Sequence, residues 1–169
     1  MPDAAEHAAD TSPPCVPDRG RLEFLVMDDV RIRAATATDF TQVLELWRSI
    51  DRHVGLADRI EHLDTLHMHS PDLFLIAERE GEVIGTLIAG WDGWRAQMAR
   101  LAVAPALRRR GIARRLVEEG ERRLREMGAK RIYALVDRSS DPAQPFWASL
   151  GYAANDNIVQ FSRNLLGVS

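Results

Sequence analysis

The chain has 169 residues and a formal net charge of −3 at pH 7, from 22 Lys and Arg against 25 Asp and Glu. This length suits one domain that buries roughly 70% of its unfolded surface, and the mild acidity argues against a dedicated nucleic-acid-binding protein. The single cysteine, Cys15, excludes an intramolecular disulfide and a cysteine-based metal cluster, and no apolar run approaches the ~18 residues of a membrane-spanning helix. We expect a soluble protein of the reducing cytoplasm that binds no membrane.

The N-terminal third combines an irregular segment with a strand and two helices. Residues 1–26 mix Ala, Asp, Pro and Gly without a regular period, which predicts a flexible acidic tail before a single domain over 27–169. In "VRIRAAT" apolar residues alternate with arginines, as in a half-buried strand. Apolar residues at helical spacing predict a helix over 40–50 and a second one that ends near Pro71.

The rest of the chain predicts a meander followed by a crossover. "LFLIAERE" and "EVIGTLIAGW" predict two strands, and Asp92-Gly93 predicts a hairpin into a third strand over 95–103. A helix over 108–127 leads to the strand "RIYALVD", so the two flanking strands should be parallel. A short helix opened by Asp141-Pro142 and a final strand, "NIVQFSRN", complete the pattern. We predict an α/β fold with a mixed sheet, an antiparallel N-terminal meander and a parallel crossover, in the order β-α-α-β-β-β-α-β-α-β.

The segment "LAVAPALRRRGIARRL" joins the third meander strand to the long helix and contains three consecutive arginines. The first turn of a helix leaves backbone N–H groups unpaired, and the helix macrodipole adds about half a positive charge there. Gly111 removes the side chain that would keep a ligand away from these groups, and Ala113 leaves room beside it. The junction predicts a cradle for a pyrophosphate group, to which Arg108–Arg110 add positive charge and guanidinium donors.

The hexapeptide "RRRGIA" resembles the Q/R-x-x-G-x-G/A signature of the GCN5-related N-acetyltransferases, the GNAT family. "LAVAP" resembles the strand that usually precedes it, "DPAQPFWASLGY" resembles the family's second block, and the resemblance covers about residues 30–164. The resemblance implies that the protein transfers an acetyl group from its co-substrate acetyl-CoA to a primary amine. The amine would attack the thioester directly in a ternary complex, and the reaction would need no metal. The acceptor would be an amine of a small molecule or a peptide, and a homodimer is a candidate assembly.

The resemblance also implies roles for individual residues. Backbone groups of Leu101–Val103 would hold the pantetheine arm and the acetyl carbonyl. Amides of Arg109–Arg114 would bind the pyrophosphate, and Ser140 and Asp141 would flank the pantetheine from the other side. The full predicted cofactor-binding set is Leu101, Ala102, Val103, Arg108, Arg109, Arg110, Gly111, Ile112, Ala113, Arg114, Ser140, Asp141 and Trp147.

Two positions depart from the family pattern, and both concern the acid and base of the reaction. Trp147 stands where a tyrosine usually follows a phenylalanine, so it either packs in the core or contacts the thiol end of the cofactor. Gln97 stands where many members carry a glutamate, and its amide could position a water molecule or a substrate hydroxyl. Asp92 is the acid nearest in sequence to the acetyl-transfer strand, so it is either a candidate base or a hairpin residue. Trp91 and Trp94 beside it either pack across the strands or wall the acceptor pocket.

Three other classes of function compete with acetyl transfer. A nucleic-acid surface would use the helix arginines, but the glutamates of 118–121 each precede an arginine by four residues, which predicts ion pairs on a solvated face. The histidines from His53 to His69 include no i, i+4 pair, and without cysteine partners they predict no metal site. An acyl-CoA-binding sensor or interaction module without turnover is the third alternative, which Trp147 and Gln97 keep open.

Overall fold

The computed structural model describes residues 29–50, 58–136, 143–163 and 165. The strands are β1 Arg31–Ala34, β2 Phe74–Arg79, β3 Glu82–Trp91, β4 Ala96–Val103 and β5 Ile132–Ala134; the helices are α1 Phe40–Ile50, α2 Ile60–His69, α3 Ile112–Glu126 and α4 Ala143–Ser149. Short 3₁₀ turns precede α1 at Ala37–Asp39 and follow β4 at Pro105–Leu107. The predicted order of elements is confirmed from β1 to α4.

Within the described residues the strands form one sheet in the order β1-β2-β3-β4-β5. Neighbours pair antiparallel from β1 to β4, whereas β4 and β5 are parallel and are connected through α3. The hairpin predicted at Asp92-Gly93 is confirmed, because β3 ends directly before this pair and β4 begins soon after it. The chain therefore has the mixed α/β fold that the sequence predicts.

Helices cover both faces of the sheet and divide the core into two clusters. Phe74 and Ile76 of β2 pack with α1 and α2, whereas Leu75 and Ala77 of the same strand pack with α3 and α4. Because both faces are covered, the first four residues of β2 are all buried and apolar. Successive residues along each strand thus alternate between the α1/α2 side and the α3/α4 side of the sheet.

Gly120 sets the distance between α3 and the sheet. A Cβ atom at this position would lie 2.9 Å from Leu87 Cδ2 and 3.0 Å from Met98 Cε. The helix can therefore lie close against β3 and β4, which brings its first turn near the end of β4.

Several boundaries differ from the sequence prediction. The helix predicted from 108 begins at Ile112, because Arg109 and Gly111 have φ angles of +61° and +76°, which a right-handed helix does not contain. The prediction of a final strand is wrong for the described residues, because 152–163 contains no strand. The side chains of Ile158, Val159 and Phe161 are 65%, 73% and 93% exposed. A strand needs neighbouring backbone to pair its N–H and C=O groups, and none of the described strands pairs with this segment.

Some predictions fall on residues outside the described ones. The tail over 1–26 and the residues Ser140 and Asp141 are among these. In the part of the chain that the structure describes, no helix is both long and apolar enough to cross a membrane.

Candidate functional site

The neighbouring strands β4 and β5 part from each other halfway along β4. Their ladder comprises Ala96–Ile132, Gln97–Tyr133 and Met98–Ala134, and a last bond joins Leu135 N–H to Met98 O at 3.2 Å. On its other edge β4 continues to pair with β3 as far as Val103, opposite Gly85. One edge of residues 99–103 therefore has no strand partner among the described residues. This is the region where the family resemblance implies that backbone groups of Leu101, Ala102 and Val103 hold the pantetheine arm and the acetyl carbonyl.

A β-bulge lies where the strands part. Between the pairs Thr86–Ala102 and Ile88–Ala99, β3 contributes one residue and β4 contributes two, Arg100 and Leu101. Arg100 has a φ angle of +52°, which is uncommon for a residue with a side chain. A bulge leaves one residue without its ladder partner and re-aims the neighbouring groups. The backbone of β4 thus changes direction at the edge that β5 leaves open.

The turn before α3 exposes unpaired amides. Gly111 is the N-cap residue with φ +76°, and no side chain caps the helix. The first helical bond runs from Arg115 N–H to Gly111 O at 3.1 Å, so the amides of residues 112–114 precede it. Together with the macrodipole, these amides make a site that attracts an anion. These amides belong to Ile112, Ala113 and Arg114 and directly follow Gly111, where the sequence predicts the cradle.

The arginines of the junction divide into two groups. Arg108 Nε donates to Val103 O at 3.2 Å, which ties the turn back to the end of β4. Arg114 Nη2 lies 3.5 Å from Ser149 Oγ and so reaches from α3 to α4. Arg109 is exposed and Arg110 is partly exposed beside the cradle. Arg109 and Arg110 add charge beside the helix start, and Arg108 keeps its charge while one of its donors is bonded to the end of β4.

Trp147 lies in the core between α4 and the sheet and is 8% exposed. Its ring meets Tyr152 at 4.8 Å and Phe146 at 5.6 Å between centroids, both in edge-to-face geometry. Tyr152 Oη donates to Glu121 Oε1 of α3 at 2.9 Å, and burial together with this carboxylate raises the pKa of Tyr152. The structure thus favours the packing interpretation of Trp147, and it commits the Tyr152 hydroxyl to α3.

Asp92 is held in the β3–β4 turn. Its Oδ1 accepts the N–H groups of Trp94 at 2.8 Å and Arg95 at 2.5 Å, and these bonds lower the pKa of Asp92. The turn precedes Ala96, which is about 10 Å of strand from the start of the gap at Ala99. A carboxylate that is already bonded, with a lowered pKa, is a poor base, so the structure favours the hairpin interpretation. Nearby, Trp91 packs against the core, whereas Trp94 is 81% exposed.

Gln97 is exposed. Successive strand residues point to opposite faces of the sheet, and the adjacent Met98 belongs to the α3/α4 cluster. Gln97 therefore lies on the face that α1 and α2 cover elsewhere. Its register partner on β5 is Tyr133, which is 42% exposed. Tyr133 has no feature in the sequence pattern that marks it as a site residue. The parallel register that brings it beside Gln97 is set by the crossover and has no local sequence signal.

A second group of residues that the sequence analysis missed surrounds the bulge. Arg100 Nη2 donates to both carboxylate oxygens of Asp58, at 2.6 Å to Oδ1. The Arg100 guanidinium lies over the Trp47 ring at 5.0 Å, and Trp47 Nε1 donates to Thr86 Oγ1 at 2.9 Å. Thr86 Oγ1 in turn donates to the backbone O of Arg100 at 2.9 Å. The α1/α2 side of the gap is therefore built from residues of four different elements or connections.

No group of three or more His, Cys, Asp or Glu side chains that could hold a metal ion occurs in the described ranges. The features of the site are instead backbone ones: an open strand edge with a bulge, followed by an uncapped helix start.

Comparison with known proteins shows the family to which the chain belongs. The model of the acetyltransferase (GNAT) family matches residues 39–152. An acetyltransferase of Photorhabdus laumondii is 34% identical over 138 residues, covering 81% of this chain and 96% of that protein. An acetyltransferase of Sodalis glossinidius is 32% identical over 137 residues, covering 81% and 96%. The PaiA N-acetyltransferase of Thermoplasma acidophilum, solved in complex with coenzyme A, superimposes with a TM-score of 0.67 at 19% identity and covers 76% of this chain and 92% of that one.

The chain belongs to the GNAT family, and its activity class is acetyl-CoA-dependent N-acetyl transfer.

Proposed function

We propose that this chain transfers the acetyl group of acetyl-CoA to a primary amine that attacks the thioester directly while both substrates are bound. The observation that carries the proposal is the juxtaposition, along one stretch of chain, of the open edge of β4 and the uncapped start of α3. A ligand that combines an extended, amide-bearing arm with a pyrophosphate fits both features. Coenzyme A thioesters have this composition.

Two backbone regions would bind acetyl-CoA: the open edge of β4 and the start of α3. Leu101, Ala102 and Val103 lie on the stretch of β4 that β5 leaves open, and their backbone groups would bond the pantetheine amides. The Val103 carbonyl already accepts a bond from Arg108. The amides of 111–114 would bind the pyrophosphate, and Arg109 and Arg110 would add charge beside it. Ser140 and Asp141 remain proposed flanking residues, and Trp147 supports the site from the core.

Acetyl-CoA, when bound, supplies a thioester that accepts the amine and releases a thiolate, a tolerable leaving group. The bulge at Arg100–Leu101 leaves an N–H group without a ladder partner, and we assign this group to the acetyl carbonyl oxygen. A donor fixed there stabilises the negative charge that develops on the oxygen during attack. The rigid edge of β4 thus orients and polarises the group that is transferred.

Proton transfer would depend on water. Around the gap the described residues provide an amide, Gln97, where a carboxylate base would be expected, and Asp92 is committed to its turn. A positioned acid or base typically contributes 10²–10⁴ in rate, whereas orientation of two reactants contributes up to ~7–11 kcal/mol. Gln97 would hold the water that takes the amine proton. We therefore expect this chain to catalyse the same type of reaction as family members that have a positioned acid and base, but at a lower rate.

The acceptor amine would approach on the face that carries Gln97 and Tyr133, because the α3/α4 face is filled by the core. A small-molecule amine or a peptide amine fits this half-open surface. The acceptor therefore has to be found by assay.

The test is calorimetric titration of the purified protein with acetyl-CoA, with CoA and with ATP, followed by thiol release with a panel of amines. Micromolar binding of acetyl-CoA with silent ATP, together with transfer to a panel amine, is the expected result. Binding without transfer to any amine would favour the non-catalytic sensor. Absence of binding would overturn the site.

The matched variants are Gly111→Val and Gly128→Val. Both glycines have positive φ, +76° and +97°, and they flank the two ends of α3. Valine is strained at either position, so both variants lose stability, but only Gly111→Val obstructs the cradle. We expect Gly111→Val to lower CoA affinity at least tenfold and Gly128→Val to leave it within threefold. Equal affinities would exclude the assigned pyrophosphate site.

A further inference from the structure

The bulge network consists of Trp47, Asp58, Thr86 and Arg100, and it closes on itself. Thr86 is fully buried; it accepts a bond from Trp47 Nε1 and donates to the Arg100 carbonyl. The side chain of Arg100 returns over the Trp47 ring and ends on Asp58. Both the backbone and the side chain of Arg100 are thereby fixed to the α1/α2 side of the sheet.

The cost of this arrangement indicates that it has a role. Arg100 keeps a positive φ of +52°, which L-residues adopt rarely and which persists only where the surroundings impose it. Asp58 is only 5% exposed, and Arg100 compensates the charge of its buried carboxylate. Residues 58 and 100 are distant in the chain, and their pairing joins the start of α2 to the bulge. Strain and a buried charge occur together at the point where β4 and β5 part.

We propose that Asp58 and Arg100 are positioning residues for the acetyl group. The inference rests on the proposed function, because it assigns the acetyl carbonyl to the β4 bulge. The ion pair holds the bulge in the conformation that directs its free backbone N–H into the gap. Without the pair, Arg100 loses the two bonds that tie its guanidinium to Asp58, and we expect the bulge to shift along the strand.

Neither side chain acts chemically in this proposal. A guanidinium stays protonated and cannot serve as an acid or a base. Asp58 is buried, and both of its oxygens are bonded by Arg100, so it has no access to an amine. Misplacement of a reacting group by about 1 Å lowers rates by about 10²-fold, so a geometric role predicts a large effect on turnover. The pyrophosphate cradle is built from other residues and should be unaffected.

The experiment compares Asp58→Asn and Arg100→Gly with Asp39→Asn as a matched control. Asp39 is also 5% exposed and is also bonded through both oxygens by one arginine, Arg33, but it lies before α1, away from the gap. For each folded protein, kcat is measured with the best panel amine at saturating substrates, and the Kd of CoA is measured by calorimetry. We expect a fall in kcat of at least tenfold for the first two variants, with the Kd of CoA within threefold. Asp39→Asn should change neither quantity.

Arg100→Gly separates the side chain from the backbone. Glycine adopts φ +52° without strain, so this variant retains the bulge if only the backbone conformation matters. The loss of the guanidinium leaves the buried Asp58 carboxylate without this partner, so the variant is less stable than the wild type. Wild-type kcat in Arg100→Gly would overturn the inference, and so would equal losses in Asp58→Asn and Asp39→Asn. Should Asp58→Asn fail to fold, Arg100→Gly against wild type decides the question alone.

Failure of the proposed function gives a different result. A wild-type protein that binds no acetyl-CoA, or transfers no acetyl group to any panel amine, overturns both proposals. A wild-type protein that acetylates an amine, with variants equally active, overturns only the positioning role.

Discussion

Replacement of Asp39 by Asn should destabilise the chain by about 2 kcal/mol at pH 7. Asp39 receives two parallel bonds from the Arg33 guanidinium, at 2.7 and 2.8 Å, and two more from Thr36, at 2.8 Å from N–H and 2.9 Å from Oγ1. Mainly because Arg33 bonds the charged form, the pKa of Asp39 is about 2 instead of 3.8. Each pKa unit corresponds to about 1.36 kcal/mol, which gives the stated magnitude. Asparagine would instead present an amide NH₂ to the guanidinium.

The sign of the pH dependence follows from the lowered pKa. The carboxylate contributes its full stability above its unfolded pKa of 3.8, and this contribution is lost as the pH falls towards 2. The difference between wild type and Asp39→Asn should therefore be constant above about pH 5 and shrink below about pH 4. Glu119, whose pKa Arg122 and Arg123 also hold at about 2, titrates in both proteins and cancels in the difference.

The assay is urea unfolding of both proteins between pH 7 and the lowest pH at which each remains folded. Glu126→Gln is the control, because Glu126 forms an ion pair with Arg122 on the surface, where both side chains are more than half exposed. Exposed pairs contribute about 0–1 kcal/mol. A loss below about 0.5 kcal/mol for Asp39→Asn at pH 7, or a loss that does not shrink below pH 4, would refute the argument.

Two further predictions concern the aromatic pair of the second block. Trp147→Tyr should not raise kcat and should cost about 1–3 kcal/mol in urea unfolding, because the smaller ring leaves space and buries a hydroxyl in the core. A rise in kcat above threefold would instead mean that the side chain reaches the departing thiolate. Tyr152→Phe should cost about 1 kcal/mol through loss of the bond to Glu121 and leave kcat unchanged. A clear fall in its kcat would assign the hydroxyl to the reaction.

The order of elements and the anion cradle follow from local sequence. Strand alternation, the Asp92-Gly93 turn and the apolar stripe of α3 each depend on residues within about one turn or hairpin of one another. Gly111 could be located in the same way, because a helix start leaves its amides unpaired whatever the rest of the fold does. The absence of the final strand could not be predicted from local sequence. Its apolar alternation forms a strand only if a neighbouring strand edge is available, and 158–163 has none in the described structure.

The surroundings of the open β4 edge, where we propose that acetyl transfer occurs, depend on long-range packing. Asp58 and Arg100, Trp47 and Thr86, and Gln97 and Tyr133 are each separated by more than 30 residues, and sequence patterns assign them no common position. The point at which β5 leaves β4, and the register that pairs Tyr133 with Gln97, are set by the crossover helix docking on the sheet. A one-residue change in that register would turn each side chain to the opposite face. The sequence by itself therefore determined the family's fold and the position of the helix start that we propose as the anion cradle, whereas only the tertiary structure decided which side chains surround the open edge of β4.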